Sequence, residues 1–326
     1  MTTSGVAEEQ HTLITGGAGF IGSHLTERLL NKGEKVVVID DLSTGSYENL
    51  PSTSDSSKLK FIESDVNSFD KLEEIVAKSR YVYHLAAAVG VDLVVRSPIR
   101  TIENNLKSTE AILEATVLNN TPLLLPSSSE VYGKSSQEAF DEDDDLLIGP
   151  PSLGRWSYAC SKLMDEFLAL AFYNERQLPV TIVRLFNTVG PRQTGRYGMV
   201  LPRFIEAAKT NEPIRVFGDG HQSRCFCSVN DTIEALTRLA DCPTAPGNIF
   251  NIGSTEEVSI LELANRIIDI TGSESEIKLI PYEKAYEPGF EDMQRRKPKI
   301  SKLQDFTNFR PKTSLEDIIR SVAEIE

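Results

Sequence analysis

The chain has 326 residues, 40% of them hydrophobic, enough for a large buried core in one elaborated domain or in two that share a cleft. Its 48 acidic side chains outnumber 34 basic ones, and the formal net charge of −14 argues against a surface for nucleic-acid phosphates. No run approaches the roughly 18 apolar residues of a membrane span, and the polar start Met1-Thr2-Thr3-Ser4 lacks the basic and apolar parts of a leader, so the expectation is a cytoplasmic protein without a membrane partner.

Along the first half, short β-branched runs alternate with longer amphipathic stretches. Residues 12–15, 35–40, 60–62, 81–85, 122–125 and 180–185 read as strands, with helices between several of them. The run Val36-Val37-Val38-Ile39 is uniformly apolar, as a strand covered on both faces should be. This pattern predicts an α/β fold with a doubly wound parallel sheet of Rossmann type. Long helices are expected over 101–119 and 156–176, with apolar residues on more than one side, including Ile102, Leu106, Ile112, Met164, Phe167, Leu168 and Phe172. The surplus beyond one sheet-facing stripe suggests a four-helix contact in a homodimer. The acidic run 141–145 reads as a solvated loop.

From 190 to 220 the chain is rich in Gly, Pro and Arg; a helix near 231–240 and a strand near 249–252 then return to the earlier style. A helix over 260–271, a strand near 277–281 and a loop over 287–298 follow. The expected organisation is a dinucleotide-binding domain over 1–186, to which 225–253 returns, and a smaller, discontinuous C-terminal substrate-binding region from 187–224 and 254–326. Cys160, Cys225, Cys227 and Cys242 are too few and too irregular for a disulfide framework, and Cys225-x-Cys227 has no second ligand pair, so reduced thiols and no metal are expected.

The cluster Gly16-Gly17-Ala18-Gly19-Phe20-Ile21-Gly22 follows a strand and opens a helix with the stripe Ile21, Leu25, Leu29, the setting in which a glycine turn holds a dinucleotide pyrophosphate. It satisfies both Gly16-x-x-Gly19-x-x-Gly22 and Gly17-x-Gly19-x-x-Gly22, and spacing alone leaves the two open. Asp40 ends the second strand about 20 residues further on, where a carboxylate accepts from ribose hydroxyls. With Asp41 beside it and no Arg in 41–45, a 2′-phosphate would be repelled, which favours NAD over NADP. Asp65-Val66 follows the third strand, where Asp65 either borders the adenine or only caps the next helix. Tyr158 and Lys162, four apart on a helix, share one face.

The ordered blocks 15–22, 38–41, His84-Leu85-Ala86-Ala87, Ser127-Ser128-Ser129-Glu130-Val131-Tyr132-Gly133, Tyr158-x-x-x-Lys162 and Arg184-Leu185-Phe186-Asn187 resemble the extended short-chain dehydrogenase/reductase family that acts on nucleotide sugars, over nearly the whole chain. The resemblance implies an NAD-dependent enzyme and a UDP-sugar substrate. It assigns Gly16, Gly19, Phe20, Ile21, Gly22, Asp40, Asp65, Val66, Leu85, Ala86 and Ala87 to the cofactor, together with Tyr158 and Lys162. Ser128 and Tyr158 would contact the sugar 4-hydroxyl, Lys162 the nicotinamide ribose, and Asn187 the diphosphate. A phenol acidified by Lys162 and by the nicotinamide ring would serve as base near neutral pH. His84, at a strand end, reads as structural and stays outside this set. Arg192, Arg224 and Arg296 are candidates for pyrophosphate or a sugar carboxylate, with a surface salt bridge as the plain alternative. Arg224 and Arg296 match family positions, whereas Arg192 rests on guanidinium chemistry alone.

Carbon-4 oxidation is shared by the family's epimerases, 4,6-dehydratases and decarboxylases. The dehydratases place Asp-Glu after the serine; here Ser129-Glu130 lacks that acid. Residues 128–133, 155–162 and Arg296-Lys297-Pro298 look most like the UDP-glucuronate decarboxylase group, in which a 4-keto intermediate is a β-keto acid that loses carbon dioxide. Glu130 and Arg296 would then position the carboxylate and manage protonation at carbon 5. The segment 84–91 looks more like epimerases and dehydratases, and a UDP-glucose or UDP-glucuronate 4-epimerase stands as the alternative, while Phe290-Glu291-Asp292-Met293 matches no decarboxylase hallmark. A non-catalytic NAD-binding protein would have no need of Tyr158 and Lys162, both of which are present.

Overall fold

A computed structural model describes residues 10–51, 57–87, 97–195, 199–282 and 293–325. Residues 88–91, Phe290, Glu291 and Asp292, singled out above, lie outside them. Seven strands form one sheet: β1 (His11–Thr15), β2 (Val36–Asp40), β3 (Leu59–Glu63), β4 (Ser79–His84), β5 (Leu123–Ser128), β6 (Val180–Leu185) and the strand Ile249–Ile252. The order is Ile249–Ile252, β6, β5, β4, β1, β2, β3, every pairing parallel. All five residues of β2 are buried, whereas edge strand β3 alternates between partly buried and exposed. The strand order reverses between β1 and β4, and a crevice forms there at the carboxyl ends.

Ser127 and Ser128 belong to β5, although Pro126 suggests a break before them. The pairing of β5 with β4 ends at Tyr83↔Leu124, so on that side Pro126 interrupts no ladder. The two serines are thereby held as strand residues at the rim of the crevice.

Helices cover both faces. Against one pack α1 (Phe20–Asn31) and the helix Val229–Ala240, through Leu25, Leu29, Ile233 and Leu236. On the other lie α2 (Leu72–Ala77) and the long helices Pro98–Val117 and Trp156–Arg176, through Val76, Ile112, Leu113 and Ala169. A separate core joins the helices Val200–Lys209, Ile260–Thr271 and Leu315–Ala323 through Leu201, Phe204, Leu263, Ile267 and Ile318.

Two expectations need correction. Leu303 and Phe309 pack into the sheet-side core with Phe250, so 301–309 does not share the core of the substrate-side region assigned to 254–326. The run 141–145 is not simply solvated: Glu142 is buried and its Oε1 accepts the Asn251 backbone N–H at 2.7 Å. Phe140 pairs with the 297–299 strap, its N–H donating to Lys297 O and its carbonyl accepting from Lys299 N–H, while Asp141 binds Lys299 Nζ at 2.6 Å. The charge density of the run conceals a strut that joins strand Ile249–Ile252 to the segment carrying Arg296.

Candidate active site

A cavity of about 550 Å³ opens at the carboxyl ends of β1, β4 and β5. Gly16, Gly19, Phe20, Ile21, Gly22, Asp40, Asp65, Val66, Leu85, Ala86 and Ala87 line one arm; Ser128, Glu130, Tyr158, Lys162, Asn187, Arg224 and Arg296 line the rest. Arg192 lies outside: its guanidinium pairs with Glu27 at 2.6 Å, the surface salt bridge of the plain alternative.

The glycine arm fits a dinucleotide. Gly16 has φ of +70°, and a Cβ there would lie 2.6 Å from Ala86 N; a Cβ on Gly22 would lie 2.1 Å from Gly16 O. These contacts favour the Gly16-x-x-Gly19-x-x-Gly22 reading, and Gly17 packs on Val38 instead. No side chain caps α1 at Gly19, which leaves its first N–H groups open to an anion. Asp40 receives N–H bonds from Ala18 at 2.8 Å and Leu42 at 2.9 Å, and thus shapes the turn it borders. Burial raises its carboxyl, against these bonds. Asp65 Oδ1 accepts the Asn67 N–H at 2.9 Å, so the capping bond is formed by a residue that also lines the cavity.

At the reacting end, Ser128 Oγ accepts the Glu130 N–H at 3.2 Å and also hydrogen-bonds the Tyr158 phenol. Glu130 lies between two guanidinium groups, Oε1 on Arg296 at 2.5 Å and Oε2 on Arg155 at 3.2 Å. Burial works to raise its carboxyl, but the charges of Arg296, Arg155 and Arg224 prevail and hold it below the ordinary range. Glu130 is therefore an anion here, an anchor rather than a proton store. Arg296 also donates to Ser129 Oγ at 3.2 Å.

The protein groups around Tyr158 act on its phenol in both directions. Burial pushes the phenol far above its ordinary value, the Glu130 and Asp165 carboxylates add to the rise, and the Ser128 hydrogen bond and the Arg296 charge offset only part of it. One helical turn away Lys162 Nζ meets Asp165 Oδ2 at 2.9 Å with both side chains buried. A cation already answered by a carboxylate does little to acidify a neighbour.

His84 keeps its structural bond, Nδ1 to Thr15 Oγ1 at 2.7 Å, and also lines the cavity. Burial, then the Lys162 charge, lowers its imidazole to about 3, so it is neutral. Asn187 lines the cavity while its Nδ2 donates to Cys225 O at 3.0 Å. Beyond the diphosphate candidates lie Phe217, with the Arg203 guanidinium 4.3 Å from its ring centroid, and Gln222. Sequence reasoning left out Arg155, Asp165 and Arg203. Arg155 and Asp165 flank Tyr158 and Lys162 at three-residue spacing, a helical proximity that offered the available clue; Arg203 had none.

Among known proteins, the family model described as the NAD dependent epimerase/dehydratase family matches residues 12–253. A UDP-N-acetyl-alpha-D-glucosaminuronate decarboxylase of Bacillus cytotoxicus is 41% identical over 98% of this chain and 99% of its own. UDP-glucuronic acid decarboxylase 1 of Arabidopsis thaliana is 33% identical over 94% of this chain and 67% of its own. The UDP-glucuronic acid 4-epimerase of Bacillus cereus, solved with UDP-glucuronic acid and NAD, superposes with a TM-score of 0.86 at 30% identity, covering 97% of this chain and 98% of that one. With a glycine cradle that excludes side chains and a family match spanning most of the length, the chain belongs to the NAD-dependent epimerase/dehydratase family.

Proposed function

We propose that this enzyme decarboxylates a UDP-linked hexuronate by way of transient oxidation at carbon 4. The observation that carries the reading is the guanidinium cluster of Arg155, Arg224 and Arg296 around Glu130, in the same cavity as Tyr158. Guanidinium groups bind carboxylates in bidentate fashion, which suits a sugar bearing its own carboxylate at carbon 6.

Bound in the glycine arm, NAD supplies an acceptor that takes two electrons from carbon 4 and later returns them. Ser128 orients the 4-hydroxyl, and Tyr158 as phenolate takes its proton. Lys162 holds the cofactor ribose, and Asn187 and Arg224 hold the diphosphate. With carbon 4 a ketone, the bond from carbon 5 to the carboxylate breaks, carbon dioxide leaves, and the electron pair delocalises onto the 4-oxygen as an enolate. A proton is then added at carbon 5, and Tyr158 returns its proton as carbon 4 is reduced. A substrate carboxylate that draws Arg296 away from Glu130 weakens the charge holding that carboxyl low, so that Glu130 can take a proton from solvent and pass it to carbon 5.

The relatives named above act on both the 2-hydroxy and the 2-acetamido uronate, so both are the substrates to try. Incubation with NAD and either UDP-glucuronate or UDP-N-acetylglucosaminuronate should release carbon dioxide and leave a UDP-sugar lighter by that mass. An unchanged mass with a new carbon-4 configuration would support the second reading, a hexuronate 4-epimerase, which the likeness to the Bacillus cereus enzyme favours.

The working form is a homodimer. Cys160, Met164 and Phe167 follow one another at i, i+4 and i+7 on helix Trp156–Arg176 and are exposed, Met164 by 54% and Phe167 by 63%, a stripe suited to a second copy. All four cysteines are free, consistent with a cytoplasmic setting, and no described helix is long and apolar enough to cross a membrane.

A further inference from the structure

Tyr158, Lys162 and Asp165 occupy positions i, i+4 and i+7 of one helix and so share a face. The first two line the cavity; Asp165 does not, and its side chain is fully buried behind them. A buried carboxylate at this depth is costly unless it is paired, and its partner here is the ammonium that the proposed reaction assigns to the cofactor ribose. We propose that Asp165 is the positioning residue of the Tyr158–Lys162 pair: it fixes where the ammonium points and withholds part of its charge from the phenol.

The surroundings leave this role to Asp165. His84, facing Lys162 from β4, is neutral. Thr109, from helix Pro98–Val117, hydrogen-bonds Asp165. Glu166, next on the helix, is taken by Arg184 at 2.8 Å. Tyr158 itself faces Ser128 and Glu130 beyond β5 and Arg296 from the C-terminal strap, and Glu130 is held by Arg155 and Arg296. Asp165 is thus the carboxylate whose counter-ion is the catalytic lysine.

The inference rests on Tyr158 as proton acceptor but not on the identity of the sugar, and the test separates the two. In NAD-loaded enzyme, the tyrosinate absorbance transition that disappears in Tyr158→Phe belongs to Tyr158 and requires no substrate. Asp165→Asn should move that transition, and the acid limb of the rate profile with it, about one pH unit lower. A purely structural Asp165 would change melting temperature or NAD affinity and leave both curves in place. A transition with the wild-type course, including one that never begins before unfolding, overturns the proposal. If Asp165→Asn does not fold, Asp165→Ser removes the same charge beside an intact Lys162 in a smaller side chain that can still bond Thr109. It should move the Tyr158 transition in the same direction, and an unchanged curve overturns the proposal. Lack of carbon dioxide release from either uronate would instead defeat the reading of the reaction and leave the titration interpretable.

Discussion

At the scale of single residues, the proposed proton acceptor Tyr158 lies near two sets of ion pairs, Lys162 with Asp165 and Glu130 with Arg155 and Arg296. Tyr158→Phe should lower turnover by about 10²- to 10⁴-fold, the usual worth of a general base, while isothermal titration still finds NAD bound, since the glycine arm is untouched. His84 carries a pH effect of its own. Its folded imidazole titrates at about 3 against the ordinary 6.5, so the unfolded chain takes up a proton that the folded one refuses. That contribution to stability is complete above pH 6.5 and is lost progressively as the pH falls toward 3. His84→Gln should therefore melt with a shallower pH dependence over that interval, as seen by calorimetry. The glycine turn and Tyr158-x-x-x-Lys162 were legible in the sequence because each is local. Glu130 and Arg296 meet across 166 positions, and resemblance rather than spacing drew attention to both. The Lys162–Asp165 pair was not legible, because Asp165, though near in sequence, reveals its partner only when the helix face is known.

Elements position the site by ending where it begins. Strand β5 delivers Ser128 at its last residue, and helix Trp156–Arg176 starts just before Tyr158. The strap that brings Arg296 hangs on a buried network: Asn251 Nδ2 donates to Phe140 O at 2.9 Å, Asn251 Oδ1 accepts from the Tyr132 hydroxyl at 2.8 Å, and Phe140 pairs with the strap. Asn251→Ala removes one hydrogen bond from the Tyr132 hydroxyl and one from the Phe140 carbonyl and should cost about 1–3 kcal/mol of stability for the two together, read as a lower urea midpoint. The helices 156–176 and 260–271 and the strand 249–252 were read to the residue, because their apolar periodicity is undisturbed. The sequence reading missed the serine end of β5, which Pro126 disguises, and the burial of Glu142, which its acidic neighbours disguise.

For the molecule as a whole, the parallel sheet was predictable from β-branched runs spaced by helices, and the change in texture after Asn187 coincides with a second hydrophobic core. The exchange of 301–309 to the sheet side was not predictable, since a seven-residue helix with one fully buried leucine carries no address of its own. The exposed stripe offers a test of assembly: Met164→Asp with Phe167→Asp should halve the sedimenting mass if a second copy covers it. The Arg296 strap also bears on the order in which the protein becomes competent. The last sheet strand ends at Ile252, yet Leu303 and Phe309, beyond Arg296, also pack into the sheet-side core, so the emerging polypeptide already contains Arg296 when that core closes. The nucleotide crevice and the strap are then finished by the same stretch of chain, and a product cut short at Ile252 would lack two apolar side chains from beneath its own sheet.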